Sequence, residues 1–423
     1  VQNPRRSVVS PGGISGATTL LFATACGLIV ANLYYPQPLA ALIAPAIGLP
    51  PDAAGLTVTL TQCGYCAGLM LLVPLGDLTE NRRLIWVTLL AAAASLIASA
   101  FAPSAFWFLL ASLCVGLSSV SVQMLVPVAA HLAPEASRGR VVGNVMAGLL
   151  VGIMLARPAS SLVASEFGWR AVYGGSAVIM VVLALVLRTL LPERQPQASH
   201  SYKELIASLW RLFLDTPLLR QRAAYQASLF GAFSLYWTAV PLLLLSATYH
   251  FSQRGISLFA LAGAAGACSA PIAGRLADRG HTRVATGAAL VLAACAFALA
   301  GLGGEGSLAA LLVGGIVLDF AVQGNVVLGQ RAIFSLGAHV RSRLNGLYLA
   351  IFFLGGAAGS ALASLAFEHG GWARVCQIGV AFPVLGLLVF LYHCATDRGA
   401  PGLSASQALT KREPPPTLDP PKM

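Results

Sequence analysis

Two ionisable side chains, Arg157 and Asp319, stand in the middle of long apolar runs. If those runs cross a bilayer, each charge costs about 2.5–3.5 kcal/mol at its centre, so both need a chemical reason. For Asp319 the chemistry is proton binding. Lipid burial and a nearby charge act on a carboxyl in opposite senses, so taking up a proton and meeting a charged partner become linked. The alternative is a carboxyl satisfied by Gln323 or by a backbone group, with no part in transport. Arg157 cannot shed its proton, so some anion must approach it. That anion is either a substrate or Asp319 itself; otherwise carbonyls beside Pro158 satisfy the guanidinium.

Polar residues around these two follow helical spacing. Asp319, Gln323, Val326 and Gln330 recur at i, i+4, i+7 and i+11, which is one face of a helix. Ser112, Gly116, Ser119 and Gln123 form a second small, polar stripe, and the two stripes suggest the walls of one cavity. Asn32, Tyr34, Tyr35 and Gln37 face Tyr236 and Trp237 in the corresponding run further on. Rings supply area and amides supply orientation, a combination that suits an amphipathic organic ligand. Pro36 and Pro38 break the helix there, and freed backbone groups are tolerated where they line a water-filled cavity. The plainer reading is that half of these side chains pack between helices.

A third set lies in loops. Asp77 is followed by Arg82 and Arg83, and Asp278 by Arg279 and Arg283. Arg138 and Arg140 precede one apolar run, and Arg341 and Arg343 precede another. A carboxylate near a helix N-terminus gains about 0.3–1 kcal/mol, and more beside arginine. The expectation is a crossed latch that shuts the cytoplasmic side in the outward-facing state, with Asp77 at the start of the eleventh run and Asp278 at the start of the fifth. Ordinary solvated loop charges are the alternative.

The elements that must hold these groups are membrane spans. The 423 residues are 57% hydrophobic and only 10% charged, with a mean hydropathy of +0.78. A soluble chain carries roughly 25% charged residues. Apolar runs fall at roughly 16–43, 54–75, 84–102, 105–129, 141–164, 169–190, 221–247, 255–275, 284–303, 307–329, 343–367 and 372–394. Each is long enough for the ~20 residues of a span. The predicted fold is an all-α membrane protein of twelve transmembrane helices in two six-helix bundles, 16–190 and 221–394. A cytoplasmic tail (1–15), a central cytoplasmic loop (191–220) and a disordered proline-rich tail (395–423) complete the division. With both termini cytoplasmic, 22 of the 26 Lys and Arg residues fall on that side, as the positive-inside rule requires.

Other function classes find no residues. The net charge of +11 is scattered through short loops without a basic, aromatic-interleaved face, which argues against nucleic acid. Cys63-Gly64-Tyr65-Cys66 has redox spacing but lies mid-span, where cysteine packs as a small hydrophobe. No phosphate-binding loop, metal-ligand cluster or nucleophile elbow occurs, so no cofactor, metal or enzymatic activity is expected.

The halves repeat. Arg138-Gly139-Arg140 matches Arg341-Ser342-Arg343 at an offset of 203, as Gly143 and Gly152 match Gly346 and Gly355. Asp77 matches Asp278, and Leu33-Tyr34-Tyr35 matches Leu235-Tyr236-Trp237, at nearly the same offset. Two parallel six-span halves imply a shared path, opened by rocking one half against the other. Along 16–394 the sequence resembles the major facilitator superfamily, most clearly at Gly274-Arg275-Leu276-Ala277-Asp278-Arg279-Gly280-His281-Thr282-Arg283. The degenerate counterpart runs from Pro74 to Arg83. Gly27 to Leu39 and Phe353 to Ser360 resemble bacterial drug and sugar efflux permeases. Arg157 stands where that family's antiporters carry the glycine of a Gly-Pro kink, and Ser112 where many have arginine. The resemblance implies a proton-coupled exporter of a small organic molecule in the bacterial inner membrane. An uptake symporter or facilitator for a sugar or organic anion is the alternative. A monomer with protons, substrate and membrane lipid as its only partners is expected.

Overall fold

Helices that are apolar on every side have no water-facing stripe and must be buried in protein or lipid. The described part of the computed structural model, residues 15–193, 201–337 and 340–399, is built largely of such helices. The first half contains α1 (Gly16–Ala31), α2 (Pro36–Ala46), α3 (Leu56–Leu71), α4 (Asn81–Ala100), α5 (Ala105–Ser118), α6 (Ser121–Leu132), α7 (Arg138–Phe167) and α8 (Trp169–Leu190). A connector helix, α9 (Tyr202–Asp215), leads to α10 (Pro217–Leu245). Then come α11 (Gln253–Leu261), α12 (Ser269–Asp278), α13 (Thr282–Gly301), α14 (Leu308–Phe334) and α15 (Arg341–Gly399). The outward faces carry Leu155, Leu162, Val178, Val182, Leu185 and Leu388, the surface expected against hydrocarbon.

Among the described residues ten helical stretches are long and apolar enough to cross a membrane. The last of them bends at Gly370 and Gly371, where the backbone leaves the helical region, and is therefore two spans. Residues Gln253–Asp278 form another, interrupted by a 3-10 stretch at Ala262–Cys268. Twelve crossing segments result, in the expected all-α architecture of two six-helix repeats.

Several expected continuous spans are broken. The first pauses at Asn32–Tyr35, just before Pro36 and Pro38, as the prolines require. The fourth breaks at Ser119 and Val120, and the eighth at Ala262–Cys268, neither of which contains a proline. The central loop is not simply hydrophilic. Ser201 and Glu204 form a reciprocal capping box that starts α9, an amphipathic helix burying Leu205 and Leu209. The first tail (1–14), residues 194–200 and the proline-rich 400–423 lie outside the described residues; α15 itself runs on to Gly399.

Glycines set how closely the helices cross. A Cβ on Gly152 would lie 2.3 Å from Gly27 Cα, so α1 and α7 touch backbone to backbone. One repeat later, a Cβ on Gly355 would lie 2.1 Å from the Ala227 carbonyl oxygen, and α10 meets α15 in the same way. Such crossings are the membrane's substitute for hydrophobic association, because close van der Waals approach is what lipid leaves available.

Between the halves the packing is lopsided. The face carrying α9 is called the connector face, and the opposite one the far face. Contact between α3 and α15 runs from face to face: Gly55 N–H donates to Ser364 Oγ, Thr59 and Ser360 share a hydroxyl contact of 2.9 Å, and Cys66 Sγ donates to the Ala350 carbonyl. Gln62 Nε2, from α3, also donates to Ser234 Oγ on α10. On the other flank α7 meets α11 only toward the far face. There Ser257 Oγ donates to the Pro158 carbonyl and Ser161 Oγ to Gln253 Oε1. Among the described residues no hydrogen bond or ion pair joins Arg138–Leu155 to α12.

Candidate functional site

Arg157 and Asp319 meet across this interface. Arg157 lies 10 residues before the far-face end of α7, and Asp319 lies 11 residues into α14 from the same face. At 1.5 Å per residue both sit about 15 Å deep, near the middle of a ~30 Å core. Arg157 Nη2 lies 3.8 Å from Asp319 Oδ2, with both side chains 3% exposed. Trp237 on α10 joins them. Its indole N–H donates to Asp319 Oδ1 at 2.7 Å, and its ring lies under the guanidinium with the Arg157 Cζ 4.0 Å from the centroid. Phe233, one turn earlier, adds a second ring at 5.0 Å. The guanidinium thus has rings against its face and a carboxylate at one nitrogen.

The broken eighth span makes room for this. A Cβ at Gly263 would fall 2.7 Å from Asp319 Oδ2, and one at Gly266 only 2.5 Å from Asp319 Cβ. Sequence reasoning missed both glycines. Their signal was the run of Ala and Gly between Leu261 and Ser269, which no helical amphipathicity explains.

The other expected cavity residues divide. Asn32 belongs to the packing of the first half: its carbonyl oxygen accepts from Ser176 Oγ at 2.6 Å and its amide points at Met180 Sδ. Tyr35 also meets Ser176. Tyr236 donates to the Leu311 carbonyl at 2.6 Å inside the second half. Tyr34 is buried within electrostatic reach of both Arg157 and Asp319. Gln37 is fully buried, and neither its amide nitrogen nor its oxygen has a partner. Gln323 is half-buried, and Asp319 takes its hydrogen bond from Trp237 rather than from this amide. Toward the connector face, Gln330 Nε2 donates to Asn345 Oδ1, and Asn345 Nδ2 contacts Gln123 Oε1 at 3.4 Å. Gln123 Nε2 in turn donates to Tyr65. This chain of amides crosses between the halves; Asn345 and Gln62, single amides in apolar runs, were not anticipated.

In this structure, joined between α7 and α11 toward the far face, the Asp278 half of the crossed latch is not formed. Asp278 pairs with Arg331 at the end of α14, not with Arg138 or Arg140 at the start of α7. The reason is packing: α12 lies along α14, which brings Arg331 within reach while the start of α7 stands away. Arg138 Nε instead donates to the Ala130 carbonyl. Asp77 lines a small cleft with Ser342, Arg343 and Gly346 at the start of α15, where Arg343 donates to Ser208 of α9. Arg341 stacks on Phe334 and reaches its carbonyl. Arg82 pairs with Glu193 at 3.1 Å and Arg283 donates to Cys394 Sγ, while Arg83, Arg140 and Arg279 are exposed.

One gate-like pair was not foreseen. Arg254, at the start of α11, meets Glu166, at the end of α7, through Nε at 2.7 Å and Nη2 at 2.5 Å. It closes the far face outside the Arg157–Asp319 pair. The hydrogen bond from Arg254, helped by one from Ser165, holds the Glu166 carboxyl below the usual carboxylate range.

Comparison with known proteins agrees with this architecture. The family profile described as Major Facilitator Superfamily matches residues 20–324 and 223–418. The chain is 41% identical over 377 residues to the Escherichia coli O157:H7 protein named uncharacterized transporter YgaY, covering 89% of this chain and 95% of that one. It is 36% identical over 380 residues to the Streptomyces coelicolor probable transporter SCO4007, covering 88% of each. A crystal structure of the nucleoside transporter NupG superposes with a TM-score of 0.69 at 15% identity, covering 88% of this chain and 99% of that one, which speaks to the fold alone.

Proposed function

The chain belongs to the Major Facilitator Superfamily as a multi-pass membrane transport protein, not an enzyme, and from this premise we propose that it is a proton-coupled secondary transporter of a small organic molecule. It works by alternating access, with the 16–190 and 221–394 bundles as the two moving bodies. The observation that carries the reading is the Arg157–Asp319 pair, a buried charge couple with one member in each half. Separating the halves at that level strips each ion of its partner in a low-dielectric core, unless a proton or a substrate replaces it. The connector face is the cytoplasmic one, because most Lys and Arg residues flank it, in the inner membrane of a bacterium. The transporter acts as a monomer.

Export in exchange for protons is the direction that the efflux-permease likeness of Gly27 to Leu39 supports. A second reading, uptake together with protons, has a structural observation in its favour: Arg157 keeps unused donors. The test is flux in proteoliposomes under an imposed pH gradient, against a panel of sugars, drugs and organic anions. Wild-type transport depends on the gradient, and Asp319→Asn transport does not. Equal gradient dependence in the two removes Asp319 from the coupling.

A further inference from the structure

Arg157 is buried, yet its Nε and Nη1 have no hydrogen-bond partner. Its ring-facing side is occupied by Trp237 and Phe233, so only its edges remain for a ligand. A guanidinium offers a carboxylate two bidentate edges, Nε with Nη2 and Nη1 with Nη2. Both edges share Nη2, and Nη2 is the atom nearest Asp319. A second carboxylate that binds either edge therefore takes the nitrogen that Asp319 uses. Asp319 holds that nitrogen loosely, at 3.8 Å, while its other oxygen is committed to Trp237. A second buried polar group without partners, the Gln37 amide, belongs to α2, which packs on both α7 and α10.

We infer that the transported molecule is an organic anion whose carboxylate, or a planar group like it, binds one edge of Arg157 and displaces Asp319, which then takes up a proton. The inference rests on the reading of this pair as the coupling site and names its substrate class. The charges balance simply. Before binding, Arg157 and Asp319 neutralise each other. Afterwards the bound anion neutralises Arg157, and a proton from water neutralises the Asp319 carboxylate. The remaining titratable groups facing Asp319 are the Tyr34 and Tyr236 phenols, both buried and able to offer no second positive charge. Anion and proton therefore bind together and move in one direction, which selects co-transport over exchange. A cationic substrate is excluded by the same geometry, since it would face Arg157 without a second carboxylate.

Three probes of one shape and different charge test this: benzoate, benzamide and benzamidine, added to the purified full chain in detergent. Benzoate raises the melting temperature; benzamide and benzamidine do not. In weakly buffered solution near pH 7, benzoate binding takes up about one proton per protein, as linkage requires. Arg157→Gln raises the benzoate concentration for half-maximal stabilisation by about tenfold or more, the scale of a charge-assisted hydrogen bond. Because that variant leaves Asp319 alone in the core, the double variant Arg157→Gln/Asp319→Asn, which buries no charge, is read beside it and also loses the benzoate response. Asp319→Asn keeps the benzoate response and loses the proton uptake. No benzoate-specific shift, a shift that the double variant retains, or proton release on binding overturns the inference. In that case gradient-dependent flux lost in Asp319→Asn still stands for the proposed function, so the two can fail separately.

Discussion

At the residue scale the molecule concentrates its unusual chemistry in one couple. Removing one member of a buried ion pair leaves an uncompensated charge and costs about 3–5 kcal/mol, whereas replacing both with neutral groups is close to neutral. Arg157→Ala is therefore expected to lower thermal stability in detergent by an amount of that order, and Arg157→Gln/Asp319→Asn to recover most of it. A double variant as unstable as the single one would mean that packing, not charge, dominates at the site. The far-face pair behaves differently because it is exposed. Glu166 titrates below its usual range in the folded chain, so its contribution is complete above the ordinary carboxylate pKa of about 4.3 and fades as pH falls through the lower folded value. Labelling of a cysteine introduced at Gln253 should thus be constant from neutral pH down to about pH 5 and quicken in stronger acid. Glu166→Gln should label quickly throughout, and raised salt should mimic it.

At the element scale, small residues and helix breaks decide which side chains can meet. Gly152 and Gly355 occupy equivalent crossings with no room for a Cβ. Valine at either position should cost at least the 1–3 kcal/mol of overpacking, measured as a fall in melting temperature, and the two losses should be similar if the repeat is real in energy as well as in shape. The sequence made much of this scale legible. Apolar length marked the spans, and the two prolines marked the break after Asn32. It did not reveal the break at Ala262–Cys268, because alanine and glycine are compatible with an α-helix and nothing in their pattern shows that Asp319 packs against this 3-10 stretch. It also did not reveal Arg331 as the partner of Asp278. Hydrophobic periodicity tells which face of a helix is buried, not which neighbour lies against it. Arg157 and Asp319 could be singled out from a single string because the bilayer makes any ion within it expensive; that they touch needed coordinates.

At the scale of the whole molecule, one flank of the interface is closed from face to face, and the other is joined only toward the far face. Thr59 and Ser360 hold the continuous flank near that face, with hydroxyls 2.9 Å apart. A disulfide between Thr59→Cys and Ser360→Cys should stop flux in proteoliposomes, and reductant should restore it. The wild-type chain, whose described cysteines are all free, serves as the oxidant control. Undiminished flux in the oxidised double variant would mean that α3 and α15 need not part during the cycle.

On the proposed coupling, the buried ion pair shared by the two halves also guards against leak. With a proton on Asp319 and no anion aboard, Arg157 keeps its charge and loses its partner, which a low-dielectric core penalises. With neither aboard, the pair neutralises itself, and the empty carrier returns without carrying a proton. The gradient is then spent only when substrate crosses with it.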